Sequence, residues 1–327
     1  MRALEELSVS GQIALLFVAL FGVLVLATLA AFFRSLRPVV APARRIGAPG
    51  TGERVARSLR AVWIGAVLFW ISWAAGPLVS TILFGLVSFV ALREFVTLTH
   101  TRRADHRSLL LAFFVVLPVQ YVLAGLRFFD AFSVFIPVYV FFAIPVVSAL
   151  ANDPQRFLER TAKIQWGIAV CVYGMSHAPA LLLLDLPGYG ERGAFLVLFL
   201  VVVVTAGQLA EEMAARRLRR RPVARAISRW FSWRAFGVGA GTGALIGALL
   251  VWSTPFSLVG AATMGAAAAA TGSLGAFVMQ ALKRDAGVRS WSGRPSVTGA
   301  VGLLDRVAPL CFAAPVFFHS VRWYFGI

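Results

Sequence analysis

Two short charged runs near the end of the chain carry the residue types that handle phosphate. Lys283, Arg284 and Asp285 close one apolar stretch, and Asp305 and Arg306 open the next, so both runs end a single loop and can converge. Lysine and arginine bind phosphate by charge-assisted hydrogen bonds without a metal, arginine through a planar fork. Upstream stand Glu211, Glu212 and Arg216, followed by Ser228. Carboxylates in such a place are candidate ligands for a hard divalent cation, which takes oxygen donors. Adjacent helical residues point about 100° apart, so Glu211 and Glu212 would rarely serve one ion together. The basic cluster 216–221 has two readings, a substrate surface or plain membrane topology, and the sequence leaves both open.

Other reactive types read as structure. Gly237, Gly239, Gly241, Gly243 and Gly247 suggest a phosphate cradle, but no strand precedes them. Four-residue spacing favours close helix packing instead. His177 and His319 are the titratable residues at depth, read as hydrogen-bonded packing groups, and Cys171 and Cys311 sit in apolar runs as core residues.

The elements that must position these residues are membrane helices. Of the residues, 59% are hydrophobic and 14% charged, and the mean hydropathy is +0.82. A soluble domain of this size could not hide that much apolar surface. Apolar runs fall at 11–32, 61–75, 77–92, 108–125, 131–151, 164–184, 194–210, 235–252, 256–282 and 307–321. Crossing the hydrocarbon takes about 20 helical residues. The predicted fold is therefore an all-α polytopic bundle of about ten transmembrane helices in a single domain, 1–327, with 11–92 as its N-terminal helices. The pair around Gly76-Pro77 is the one whose full crossing is least secure. The first run lacks a small-residue cleavage pattern and is read as a retained helix.

Placing the N-terminus and C-terminus outside puts 27 of the 31 Lys and Arg residues in the inside segments 33–60, 93–107, 152–163, 211–234 and 283–306. Short cytoplasmic loops retain Lys and Arg, so the expectation is an inner (cytoplasmic) bacterial membrane with the basic loops cytoplasmic. The net charge of +17 then faces anionic lipid or nucleotide phosphate, and no nucleic-acid partner is expected.

The tail resembles the phosphatidate cytidylyltransferase (CDP-diacylglycerol synthase) family. The carrying residues are Leu282-Lys283-Arg284-Asp285, Gly287-Val288, Gly302-Leu303-Leu304-Asp305-Arg306-Val307 and Ala314-Pro315-Val316-Phe317-Phe318. Weaker echoes are Ala91-Leu92-Arg93-Glu94-Phe95 and Ser176-His177-Ala178. The resemblance implies a cytidylyltransferase-like region over 93–327 with cytoplasmic loops 205–234 and 283–306, and a homodimer. The implied reaction is attack of phosphatidic acid on the α-phosphate of CTP, assisted by divalent metal.

The departures from the family pattern are heavy. The family's asparagine-aspartate pair falls on Gly207-Gln208, its serine-containing loop on Ser228 to Ser232, and the glutamate-glycine that follows on Arg234-Ala235. A glycine-aspartate falls on Gly275-Ala276, a later aspartate on Ser290, the histidine on Ala300 and the last aspartate on Ala308. Metal-binding acids are thus replaced at Gln208, Ala276 and Ser290, which removes charge that a hard cation requires.

What survives as a substrate-binding set is Arg216, Ser228, Lys283, Arg284 and Arg306, with Asp285 and Asp305 retained. The leading expectation is a family member that binds phosphatidic acid or a related phospholipid, with synthesis of CDP-diacylglycerol impaired or lost, no cofactor, and a partner enzyme of lipid synthesis. One alternative is an active enzyme using CTP and magnesium, with Glu211 and Glu212, together with Asp285 and Asp305, as a substitute acidic set. Another is a lipid transporter or scramblase, against which the charge-free centres of the helices argue.

Overall fold

The computed structural model describes residues 76–327 apart from 100, 187, 188, 191, 219–221, 229, 230 and 288–301, together with scattered helical positions between 11 and 75. The chain divides into two units, Met1–Gly76 and Pro77–Ile327. In the first, the described residues from 11 to 33 and from 63 to 74 are helical. There the Trp63 indole N–H donates to Thr28 Oγ1 at 3.0 Å and its ring lies 5.5 Å from that of Phe21.

The second unit holds eight long helices among the described residues: α1 (Gly76–Leu98), α2 (Arg103–Gly125), α3 (Phe129–Ala149), α4 (Phe157–Leu183), α5 (Gly193–Leu218), α6 (Trp233–Leu249), α7 (Leu258–Asp285) and α8 (Leu304–Phe325). Six of these, all but α6 and α8, are long and apolar enough to cross a membrane on length and composition alone. No strand occurs among the described residues. The chain is an all-α polytopic integral membrane protein.

Gly76 has φ +85°, a left-handed turn that glycine tolerates, and Pro77 follows in the first turn of α1, where its missing N–H costs nothing. The run after Gly76-Pro77 is thus part of a full-length helix of 23 residues. Ser232 and Ser257 cap α6 and α7 by accepting the N–H of Ala235 and Gly260. Lys283 and Arg284 close α7 where its dipole favours cations.

Helices α5, α6 and α7 pack through small residues. A Cβ on Gly243 would run into the Cβ of Ala269 and the carbonyl oxygen of Gly265, and one on Gly207 would meet Ala269 at 2.8 Å. Gly237 and Gly241, on the other face of α6, have open space. Gly239, Gly243 and Gly247 therefore serve packing, as their four-residue spacing predicts. Helices α2, α3 and α4 each contain a π-helical stretch, at Ala112–Val116, Phe135–Val140 and Ile168–Gly174. A polar cluster joins α4 to α8 around buried His177. His177 Nδ1 meets the Tyr173 carbonyl at 2.7 Å, and the Tyr173 hydroxyl meets His319 Nε2 at 3.1 Å.

Side-chain contacts group the connections of this unit into two ends. At one end Arg160 joins Asp105, Glu94 reaches Leu303, Lys283 reaches Asp305, and Phe231 stacks on Phe277. At the other end Arg322 pairs with Asp130, the Tyr189 hydroxyl donates to the Ser253 carbonyl, and Phe256 packs on Tyr324. The helices therefore alternate in direction, and the described residues of 93–107, 152–163, 211–234 and 283–306 belong to one end.

Candidate head-group site

The basic end is assembled from the last turns of α1, α5 and α7, the turn 222–232, and the first turn of α8. The turn is closed on itself. The Val223 N–H donates to the Phe231 carbonyl at 3.1 Å, and Ser228 Oγ accepts the Phe231 N–H at 3.2 Å. The Phe231 ring stacks on Phe277 of α7 at 4.5 Å, which fixes the turn against α7. Ser228 is buried in this arrangement and acts there as a turn-closing acceptor.

The structure separates the two adjacent glutamates. Glu211 is half-buried and accepts from the Ser273 hydroxyl on α7, whereas Glu212 is exposed and pairs with Arg216 one turn along α5. Arg216 is therefore partnered on the surface of its own helix. Gln208 and Ala276 are both partly buried near the Glu211–Ser273 bond, and Phe312 fills the space against Gly275. Ser290 and Ala300 lie outside the described residues.

Lys283 and Asp305 are brought together, with Nζ 2.6 Å from Oδ1 and side chains 21% and 23% exposed. The loop ends converge as their positions suggest, but Lys283 is not the unpaired charge that a purely basic cluster would contain. Arg284, Asp285 and Arg306 are exposed. Arg284 meets no acid among the described residues.

Sequence reasoning noted Glu94 only as an echo. Its side chain, 3% exposed, accepts the Leu303 N–H at 3.1 Å through Oε2 and so sits at the amino end of α8. A carboxylate there is favoured by the helix dipole. Sequence reasoning also missed a clip between the α2 and α4 starts. Arg160, 5% exposed, holds Asp105 at 2.8 Å and Asp153 at 2.8 Å, while Arg102 holds Gln155 at 2.8 Å. The backbone N–H of Gln155, with Arg160 and Arg102, keeps the Asp153 carboxyl below its usual range. The available signal was a set of charges flanking two apolar runs, which topology alone already explained.

Among the described residues most carboxylates of this end are engaged by other groups of the chain, with exposed Asp285 the exception. Asp105, Asp153, Glu159, Glu212 and Asp305 each face an Arg or Lys, and Glu211 and Glu94 accept hydrogen bonds. No three His, Cys, Asp or Glu side chains among the described residues gather closely enough to hold a metal ion. What this end offers is cationic surface around the paired Lys283.

Comparison with known proteins agrees with the tail motif. A model of the cytidylyltransferase family matches residues 55–324. The uncharacterized protein YnbB of Escherichia coli (strain K12) is 34% identical over 311 residues, which span 93% of this chain and 96% of that protein.

Proposed function

The chain belongs to the cytidylyltransferase family, and on that premise we propose that it binds phosphatidic acid or a related anionic phospholipid at its basic end, with CDP-diacylglycerol synthesis impaired or lost. The observation that carries this reading is the commitment of the carboxylates. The family's acids fall on Gln208 and Ala276, and the acids that remain nearby, exposed Asp285 apart, are engaged by Lys, Arg, Ser273 or a backbone N–H. Phosphoryl transfer from a nucleotide needs a centre that offsets charge on the phosphates. Holding a phospholipid head group needs only cations at the right depth. By the positive-inside rule this end is the cytoplasmic one, in a bacterial inner membrane, and a dimer or a partner enzyme of lipid synthesis fits the same reading.

Purified protein given labelled CTP, phosphatidic acid and magnesium should form no CDP-diacylglycerol above a vesicle blank. Robust turnover that disappears in Glu211→Gln would overturn the reading and establish a rebuilt catalytic site. In the same preparation, without metal, phosphatidic acid should be retained over phosphatidylcholine. Lys283→Ala with Arg284→Ala should weaken that retention by roughly tenfold, at about 1 kcal/mol per basic residue less the share of Lys283 that Asp305 already neutralises.

A further inference from the structure

Glu94 is an acid of the basic end that pairs with no cation among the described residues. Its Oε2 accepts the Leu303 N–H, and the Gly302 and Leu304 amides also face the carboxylate. Its Oε1 is buried and meets no donor within hydrogen-bond distance among the described residues. A buried acceptor left unsatisfied costs free energy that only a donor recovers.

The surroundings specify what kind of donor belongs there. Asp305 faces Glu94 from α8, Cys171 faces it from α4, and Lys283 of α7 lies one contact further, on Asp305. Exposed Arg284 and Arg306 stand on the same loop ends. The amino end of α8 and these cations attract an anion. The orphan oxygen attracts a hydrogen-bond donor. A phosphate monoester in its monoanionic form is both at once, because it carries a P–OH group. A phosphodiester has no such proton.

Resting on the head-group reading above, we propose that Glu94 is the specificity-determining residue of this site. Its Oε1 accepts the P–OH of a phosphate monoester, so the site selects phosphatidic acid over phospholipids whose phosphate is doubly esterified. The complex then holds one proton between carboxylate and phosphate. Binding weakens as pH rises and that proton is lost, around the second ionisation of a phosphate monoester at about 6. Attraction by basic residues alone has the opposite sign, since the dianion formed at higher pH is held more tightly.

The test uses the full chain in phosphatidylcholine nanodiscs doped with phosphatidic acid or phosphatidylglycerol, with chelator present, from pH 5.5 to 8. Wild type should prefer phosphatidic acid by roughly tenfold at the acid end, as expected for one charge-assisted hydrogen bond, and the preference should shrink as pH rises. Glu94→Gln keeps an acceptor for the Leu303 N–H and should lose the preference at low pH and reverse its slope. A Glu94→Gln protein with the wild-type slope, or a wild-type preference that grows with pH, overturns the proposal. The wild-type slope decides alone if the variant does not fold. Wild type that retains neither lipid refutes the head-group reading itself. Competition by glycerol 3-phosphate would assign the recognition to any soluble monoester; its failure to compete would assign it to the membrane-borne head group.

Discussion

Arg160 shows how much one side chain does at the basic end. It is 5% exposed, and its guanidinium divides between Asp105, 2% exposed, and Asp153, 25% exposed. Replacing Arg160 by Met leaves Asp105 buried without its cation, which costs about 3–5 kcal/mol for a pair of this depth. Thermal unfolding in detergent should register that loss, while Asp153→Asn should cost far less. Because the folded state holds the Asp153 carboxyl below its ordinary value, its contribution is present above that value and lost as pH falls through the depressed one. Melting temperature should therefore not change on account of this group between pH 8 and 5, and should drop in strong acid. At this scale the sequence was half legible. The convergence of the loop ends that carry Lys283 and Asp305 could be read in advance because one loop joins them, but the ion pair between the two could not. Nor could the contacts of Ser273 and Arg160, since their partners Glu211 and Asp105 lie 62 and 55 residues away and only the helix packing brings them close.

The α5–α6–α7 seam depends on which face of each helix is bare. Gly243→Leu would drive a side chain into Ala269 and Gly265, whereas Gly241→Leu would point into open space. Overpacking of this kind costs about 1–3 kcal/mol. The first variant should melt earlier and run as a broader species on size exclusion, and the second should match wild type. Equal behaviour of the two would mean the seam is loose. Four-residue spacing was enough to identify packing glycines in the sequence. It could not divide five glycines between two faces, because that division is set by Ala261, Gly265 and Ala269 on a different helix. Helix ends were also set outside the apolar runs. Helix α1 continues to Leu98 past Glu94, and α5 to Leu218, since polar residues remain helical where the chain leaves the hydrocarbon.

For the molecule as a whole, alternating connections make sidedness measurable. Cys171 and Cys311 are buried and leave a quiet background for thiol labelling. Cysteine at exposed Arg225 should react with an impermeant maleimide from the side opposite to one at exposed Arg127. Reaction from the same side would break the alternation that the salt bridges of the two ends imply. The apolar runs foretold each helix after residue 76 because burial in lipid writes itself along the chain at the scale of one span. The assembly of the basic end was less legible, as it is made of the short turns and last helical residues where hydropathy says least.

The π-helical stretches in three successive helices bear on how the chain is compared with its relatives. A π turn accommodates one residue more than the α-helical path needs. Each of the three is thus a place where a relative can lack a single amino acid and still present the same faces above and below. Alignments that forbid gaps inside membrane spans will slip by one position there, and every residue beyond the slip will be matched to a neighbour pointing elsewhere. Deleting Val115 from the Ala112–Val116 stretch should accordingly be tolerated far better than deleting Val202 from uninterrupted α5, as judged by the yield of folded protein.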